Sequence, residues 1–217
     1  MKREIDMKEI SDGKLYGPND LVKADCGDCH GCFDCCRGMG QSILLDPLDI
    51  YRLTGNLKVT FEELLADKIE LNVVDGIILP NLKMAGAEDG CGFLTEEGRC
   101  GIHPFRPGIC RLFPLGRYYE ENGFRYFLQV HECQKENRAK VKVKKWLDTP
   151  DLKKYEAYIA RWHGLLIQLQ EYIAAHPESA KAVSMDVLQR FYLTPYRTEE
   201  FYSEFFQRMD EAKKAYC

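Results

Sequence analysis

The sequence predicts an α+β fold, mainly helical, in which a cysteine-rich region of loops and knuckles with short β-hairpins precedes a C-terminal helical bundle. Three observations lead there. Nine of the ten cysteines lie between Cys26 and Cys133, interleaved with glycines and prolines that interrupt long regular elements. Two β-rich stretches break at Asp75-Gly76 and Asn122-Gly123, which is hairpin turn chemistry. From Thr149 onward, apolar residues recur at three and four positions, the helical period.

Residues 1–24 read as an N-terminal arm. They alternate charged and apolar residues around Gly13, Gly17 and Pro18, with neither the apolar core nor the cleavage site of a secretory signal. Residues 25–135 read as the cysteine-cluster domain. After the cysteine run, Asp46-Pro47 supplies a cap and a first-turn proline for a short helix through Leu48, Ile50, Tyr51 and Leu53, which Gly55 can end. Thr60-Phe61-Glu62-Glu63 is a capping box for a second helix with Leu64, Leu65 and Ile69 on its apolar side. Leu71 to Leu82 form a hairpin around Asp75-Gly76. The stretch from Cys91 to Pro114, with three prolines and four glycines, leaves room for a knuckle and one helical turn. Arg117-Tyr118-Tyr119 and Phe124-Arg125-Tyr126-Phe127 then flank Asn122-Gly123, predicting a type I′ hairpin whose second strand returns Cys133 to the site.

Residues 136–217 read as helices packing on that domain. Thr149-Pro150 opens a long one, with Tyr155, Tyr158, Ile159, Trp162, Leu165, Leu166, Leu169, Tyr172 and Ile173 on its apolar face and an end near His176-Pro177. A second follows Ser179, carrying Val183, Val187, Leu188, Phe191 and Tyr192. A third follows Thr198, carrying Phe201, Tyr202, Phe205, Phe206 and Met209.

At 217 residues the chain can bury a core without cysteine staples. A net charge of -4 argues against a nucleic-acid binder. No apolar run approaches the roughly 18 residues of a membrane span. These features predict a cytoplasmic protein, and in a reducing compartment clustered cysteines point to metal or redox chemistry rather than disulfides.

Five cysteines crowd into C-G-D-C-H-G-C-F-D-C-C, from Cys26 to Cys36. Two-residue gaps wrap thiolates around a soft metal, and four thiolates complete a tetrahedral zinc or iron site or hold one iron-sulfur cluster. Nine cysteines exceed one such site. Cys35 and Cys36 are adjacent, and neighbouring side chains diverge in most backbone conformations. They therefore face two metals, or one of them bridges. Two tetrathiolate zinc sites would each carry a charge near -2, which calls for donors and counter-charges. Arg37, Arg99, Arg106 and Arg111 all lie close to a cysteine. Arg106, inside the knuckle, is the one for which a place beside the thiolates is favoured; for the others an ordinary solvated position is.

The run Cys29-His30-Gly31-Cys32-Phe33-Asp34-Cys35-Cys36, then I-L-L-D-P-L-D-I-Y-R-L, C-G-F-L, G-R-C-G-I-H and R-P-G-I-C-R-L-F-P, resembles the CxxCxxCC family of zinc- or iron-chelating proteins, also called the YkgJ-type cysteine-cluster family. The resemblance covers about residues 25 to 135. It implies Cys29, Cys32, Cys35, Cys36, Cys91, Cys100 and Cys110 as metal residues, with Cys133 matching a later, less regular cysteine. Because the family includes domains similar to flagellin lysine N-methylase, it also implies protein methylation as an alternative. Phe33 stands where the family commonly has glycine. Cys26 precedes the pattern and is open to three roles: spare thiol, ninth ligand or redox partner. His103, at C-x-x-H from Cys100, reads better as a packed or hydrogen-bonded imidazole than as a ligand.

Elsewhere, His131, Glu132 and Cys133 form a possible acid-base group, His30 and His163 read as solvated or satisfied histidines, and Cys217 as an exposed thiol. No nucleotide loop, nucleophile elbow or H-E-x-x-H helix is present, nor the alternating strands and helices of a common methyltransferase. The expectation is a metal chelator with one or two thiolate-ligated centres of zinc or iron, an iron-sulfur cluster included, and with no membrane or nucleic acid as partner. The alternatives are an iron-sulfur redox or lysine-methylase-like enzyme acting on a protein substrate, and a zinc-built module for a protein partner. A disulfide-exchange protein is the weakest reading.

Overall fold

The computed structural model of the chain describes residues 6–27, 32–197 and 199–216. A turn of helix, α1 (Met7–Ile10), is capped by Asp6, whose carboxylate accepts the Lys8 N–H. Strand β1 (Leu21–Asp25) leads into the cysteine run. Helices α2 (Pro47–Leu57) and α3 (Phe61–Asp67) follow it. Next come the hairpin β2 (Ile69–Val74) and β3 (Ile77–Leu82), the small pair β4 (Met84–Ala85) and β5 (Gly90–Cys91), and the one-turn helix α4 (Gly108–Leu112). A second hairpin, β6 (Leu115–Glu120) and β7 (Gly123–Leu128), is followed by β8 (Ala139–Lys142) and α5 (Val143–Leu147). Helices α6 (Leu152–Ala175), α7 (Ala180–Leu188) and α8 (Phe201–Tyr216) complete the chain. The strands form four antiparallel two-stranded sheets: β1–β8, β2–β3, β4–β5 and β6–β7.

Both helix starts after the cysteine run match their sequence signals. The Asp46 carboxylate accepts the Asp49 N–H at 2.9 Å while Asp49 accepts the Asp46 N–H at 3.1 Å, and Thr60 and Glu63 repeat this exchange at 3.2 and 2.7 Å. Helix α2 does not stop at Gly55. It runs to Leu57, which packs on the core, and ends where Lys58 turns left-handed with φ of 59°. Helix α6 begins at Leu152 rather than Thr149, because Asp148 and Asp151 are both left-handed, and Asp151 caps the helix.

The two hairpins divide. Asp75 and Gly76 carry φ of 48° and 88°, the left-handed pair a type I′ turn requires. In the second hairpin Glu120 pairs with Gly123, so the turn is Glu121-Asn122, and only Gly123, at 121°, has positive φ. The type I′ expectation fails there. The observed register sets Leu128 opposite Leu115, both buried, where a turn at Asn122-Gly123 would set Leu128 opposite Arg117. Cross-strand packing of the buried side chains outweighs the local turn preference.

One core joins the front and back of the chain. Ile43, Leu48, Leu53 and Leu82 pack with Tyr158, Trp162, Leu165 and Phe205, so the C-terminal helices share their interior with the cysteine-bearing half. A second cluster gathers Val22 and Ala24 of β1, Tyr126 and Leu128 of β7, and Val143 and Leu147 of α5. The described part of the lead-in is therefore not loose. Tyr16 exchanges backbone hydrogen bonds with Tyr126 at 2.7 and 3.0 Å, and β1 pairs with β8. Among the described residues no helix is long and apolar enough to cross a membrane.

Candidate metal centre

Cys32, Cys35, Cys36, Cys91, Cys100 and Cys110, from four separate stretches of chain, line one cavity of about 70 Å³. That is several times the roughly 10–15 Å³ one water needs. The neighbours of each sulfur explain the convergence. Cys35 and Cys36 sit in a single 3₁₀ turn, Asp34–Cys36, tied to β5 by a bridge between Arg37 and Gly90 and by the Gly38 N–H to Asp89 C=O bond at 2.9 Å. Cys91 ends β5. Cys100 is bridged to Leu94, and Gly101 donates to the Phe93 carbonyl at 2.8 Å, folding the C-G-F-L and G-R-C-G segments together.

Cys110 rides on α4, whose start is held from afar. The Gly108 N–H donates to Asp49 Oδ1 at 2.8 Å, across 59 residues, and Asp49 is only 3% exposed. Glycine is required there: a Cβ would stand 2.2 Å from the Tyr155 hydroxyl. That hydroxyl accepts from Arg117 at 2.9 Å, and the Tyr158 hydroxyl donates to Asp46 at 3.0 Å. The D-P-L-D segment thus caps α2 and anchors the cysteine of R-P-G-I-C at once. Arg111 holds the other side of α4 by donating to the carbonyls of Pro104 at 2.8 Å and Asp148 at 3.1 Å.

Within the cavity Cys36 lies within hydrogen-bonding reach of both Cys35 and Cys100. The Cys36 hydrogen bond, supported by Arg106, draws the Cys100 thiol down to about 6, against the effect of burial; Cys35 is lowered by the same neighbour. Cys36 itself is raised by those two partners. Burial raises Cys32, Cys91 and Cys110. Among the described residues the cavity wall carries Arg99 and Arg106 and no carboxylate, though beside it the Asp34 carboxylate accepts from Cys32 Sγ at 3.5 Å, and the Nε of Arg106 is enclosed without a hydrogen-bond partner. Soft sulfur donors beside guanidinium counter-charges fit zinc or iron. Among the described residues, no three His, Cys, Asp or Glu side chains already surround a common point at ligand geometry. What the fold supplies is the gathering of the sulfurs.

The adjacent pair Cys35–Cys36, expected to diverge, opens into this one cavity. Arg106 stands where expected, bonded to the His103 ring, and His103 also lines the wall. Arg99 and Arg111 are not ordinary solvated residues: the first lines the cavity and the second is 8% exposed. Arg37 instead pairs with Glu88 at 2.6 Å and lies 4.1 Å over the Phe33 ring, which also covers Gly98. Cys133 and His131 line a separate polar cleft with Lys23, Lys135 and Arg138, not the six-cysteine cavity. Cys26 follows β1 and does not line the cavity either. His163 stacks on Tyr119 at 3.6 Å. Cys29, His30 and Cys217 lie outside the described residues. None of the eight described cysteines is in a disulfide. Sequence reasoning passed over Asp49 and the apolar wall of Phe113 and Trp146; only the closeness of D-P-L-D to the cysteine run hinted at the first.

A family model described as "CxxCxxCC: Putative zinc- or iron-chelating domain" matches residues 28–145. Neither the curated proteins nor the solved structures contain a match to the chain.

Proposed function

Because this chain belongs to the CxxCxxCC family, we propose that it chelates zinc or iron in the six-cysteine cavity. Cys35, Cys36, Cys91, Cys100 and Cys110 supply the thiolates, with Cys32 at the same wall and Arg99 and Arg106 balancing their charge. The observation that carries this reading is the convergence of thiols from four stretches of chain on one enclosed space, with the guanidinium groups of Arg99 and Arg106 in its wall. When bound, the metal would supply a soft, Lewis-acidic centre. The protein would supply the thiolates, the counter-charge and the apolar wall that limits water.

A reducing, cytoplasmic setting would keep the cavity's thiols available to a metal. An iron-sulfur redox centre is the second reading, favoured by a cavity larger than one ion needs. Elemental analysis with a visible spectrum, on protein purified without oxygen, separates the readings. Bound zinc gives a colourless protein; an iron-sulfur cluster absorbs broadly. Serine at Cys35 or Cys110 is expected to lower metal content and Tm together. Unchanged stoichiometry in both variants would remove these residues from the site.

A further inference from the structure

The β1–β8 ribbon turns Val22 and Ala24 into the second core and leaves the opposite face to solvent. On that face Leu21 pairs with Lys142 and Lys23 with Lys140, so two lysines stand directly opposite one another. Like charges in that relation oppose the pairing of strands. Lys144 and Lys145 continue the charge into α5, and Lys135 and Arg138 share the polar cleft with Lys23. Among the described residues, Lys23, Lys140, Lys142, Lys144 and Lys145 make no ion pair, and one terminal nitrogen of Arg138 is buried without a hydrogen-bond partner. Against them stand Asp20 and Asp25, which accept the N–H groups of Gly17 and Gly27, and Glu136 in the cleft. A chain of net charge -4 thus concentrates seven cationic side chains on one ribbon and its flank.

We propose that this face docks an acidic segment of a partner protein, a short run of Asp and Glu side chains laid along the ribbon. Charge complementarity selects the sign of the partner. The net negative charge of the chain selects its size, since a long polyanion would run past the ribbon onto repelling surface, whereas a short segment ends with it. Leu21, 55% exposed among the lysines, offers an aliphatic contact that suits a peptide better than a phosphate backbone.

The test is fluorescence anisotropy of the full chain with a labelled peptide of about ten residues rich in glutamate, compared with an oligothymidylate of equal charge. Binding of the peptide is expected to weaken about tenfold or more between about 50 and about 200 mM salt. Glutamine at Lys23, Lys140, Lys142 and Lys144 together is expected to weaken it at least about tenfold. Glutamine at Lys58, Lys153, Lys181 and Lys214, which removes the same charge elsewhere, is expected to leave it near the native value. Equal loss in both variants, or tighter binding of the oligonucleotide, would overturn the proposal. So would a ribbon variant that binds the peptide as the native chain does but self-associates, because the lysines would then serve only to guard open strand edges.

Discussion

At Gly108 a methyl group has nowhere to go, because the Tyr155 hydroxyl beside it is pinned by Arg117. Gly108→Ala is expected to cost about 1–3 kcal/mol in a denaturant titration and to weaken metal retention, since α4 carries Cys110. Asp49 faces the same glycine. Burial, then the Asp46 carboxylate, raises its carboxyl to about 8, against roughly 3.9 in an unfolded chain. The folded state therefore holds a proton that the unfolded state gives up. Its contribution is fully present below the unfolded value and is lost as pH rises through about 8. Asp49→Asn is expected to flatten the fall in urea midpoint between about pH 5 and about pH 8. An unchanged slope would assign the pH dependence to other groups. The Asp46 cap was legible because Asp46-Pro47 is a local signal. The bond from Asp49 to Gly108 was not, because it exists only once α2 and α4 have packed.

The elements were read from local patterns, and they held where local and tertiary demands agreed. Asp75-Gly76 supplies both left-handed residues, and its hairpin follows the signal. Asn122-Gly123 offered the same turn but lost to the register that sets Leu128 opposite Leu115, both buried. Gly55 marked a stop that α2 passes because Leu57 still has apolar surface to cover. The Thr60 capping box marked its helix start correctly, since it satisfies backbone donors whatever the helix packs against. Thr60→Ala is accordingly expected to lower stability by about 1 kcal/mol while leaving metal content unchanged. Those two readouts separate a loss of fold stability from damage to the cavity. Metal loss in this variant would mean that α3 helps to shape the site.

Across the whole molecule, the shared core explains why metal and fold should rise and fall together. Cys91 is itself part of that core, and Cys36, Cys100 and Cys110 pack against it. Chelator treatment is expected to lower Tm, and metal added back to restore it, as measured by calorimetry. The cysteine-cluster family was legible because the ordered motifs are distinctive, but the grouping of the thiols was not. Nothing in the spacing separated Cys133, which lies beside Lys23 and His131, from the six that share the cavity. X-ray absorption at the metal edge of the purified protein reports the donor atoms themselves. A shell dominated by sulfur at about 2.3 Å is the expected result. A shell of only nitrogen and oxygen at about 2.0–2.2 Å, or protein that carries no metal, would contradict a thiolate-bound ion in this cavity.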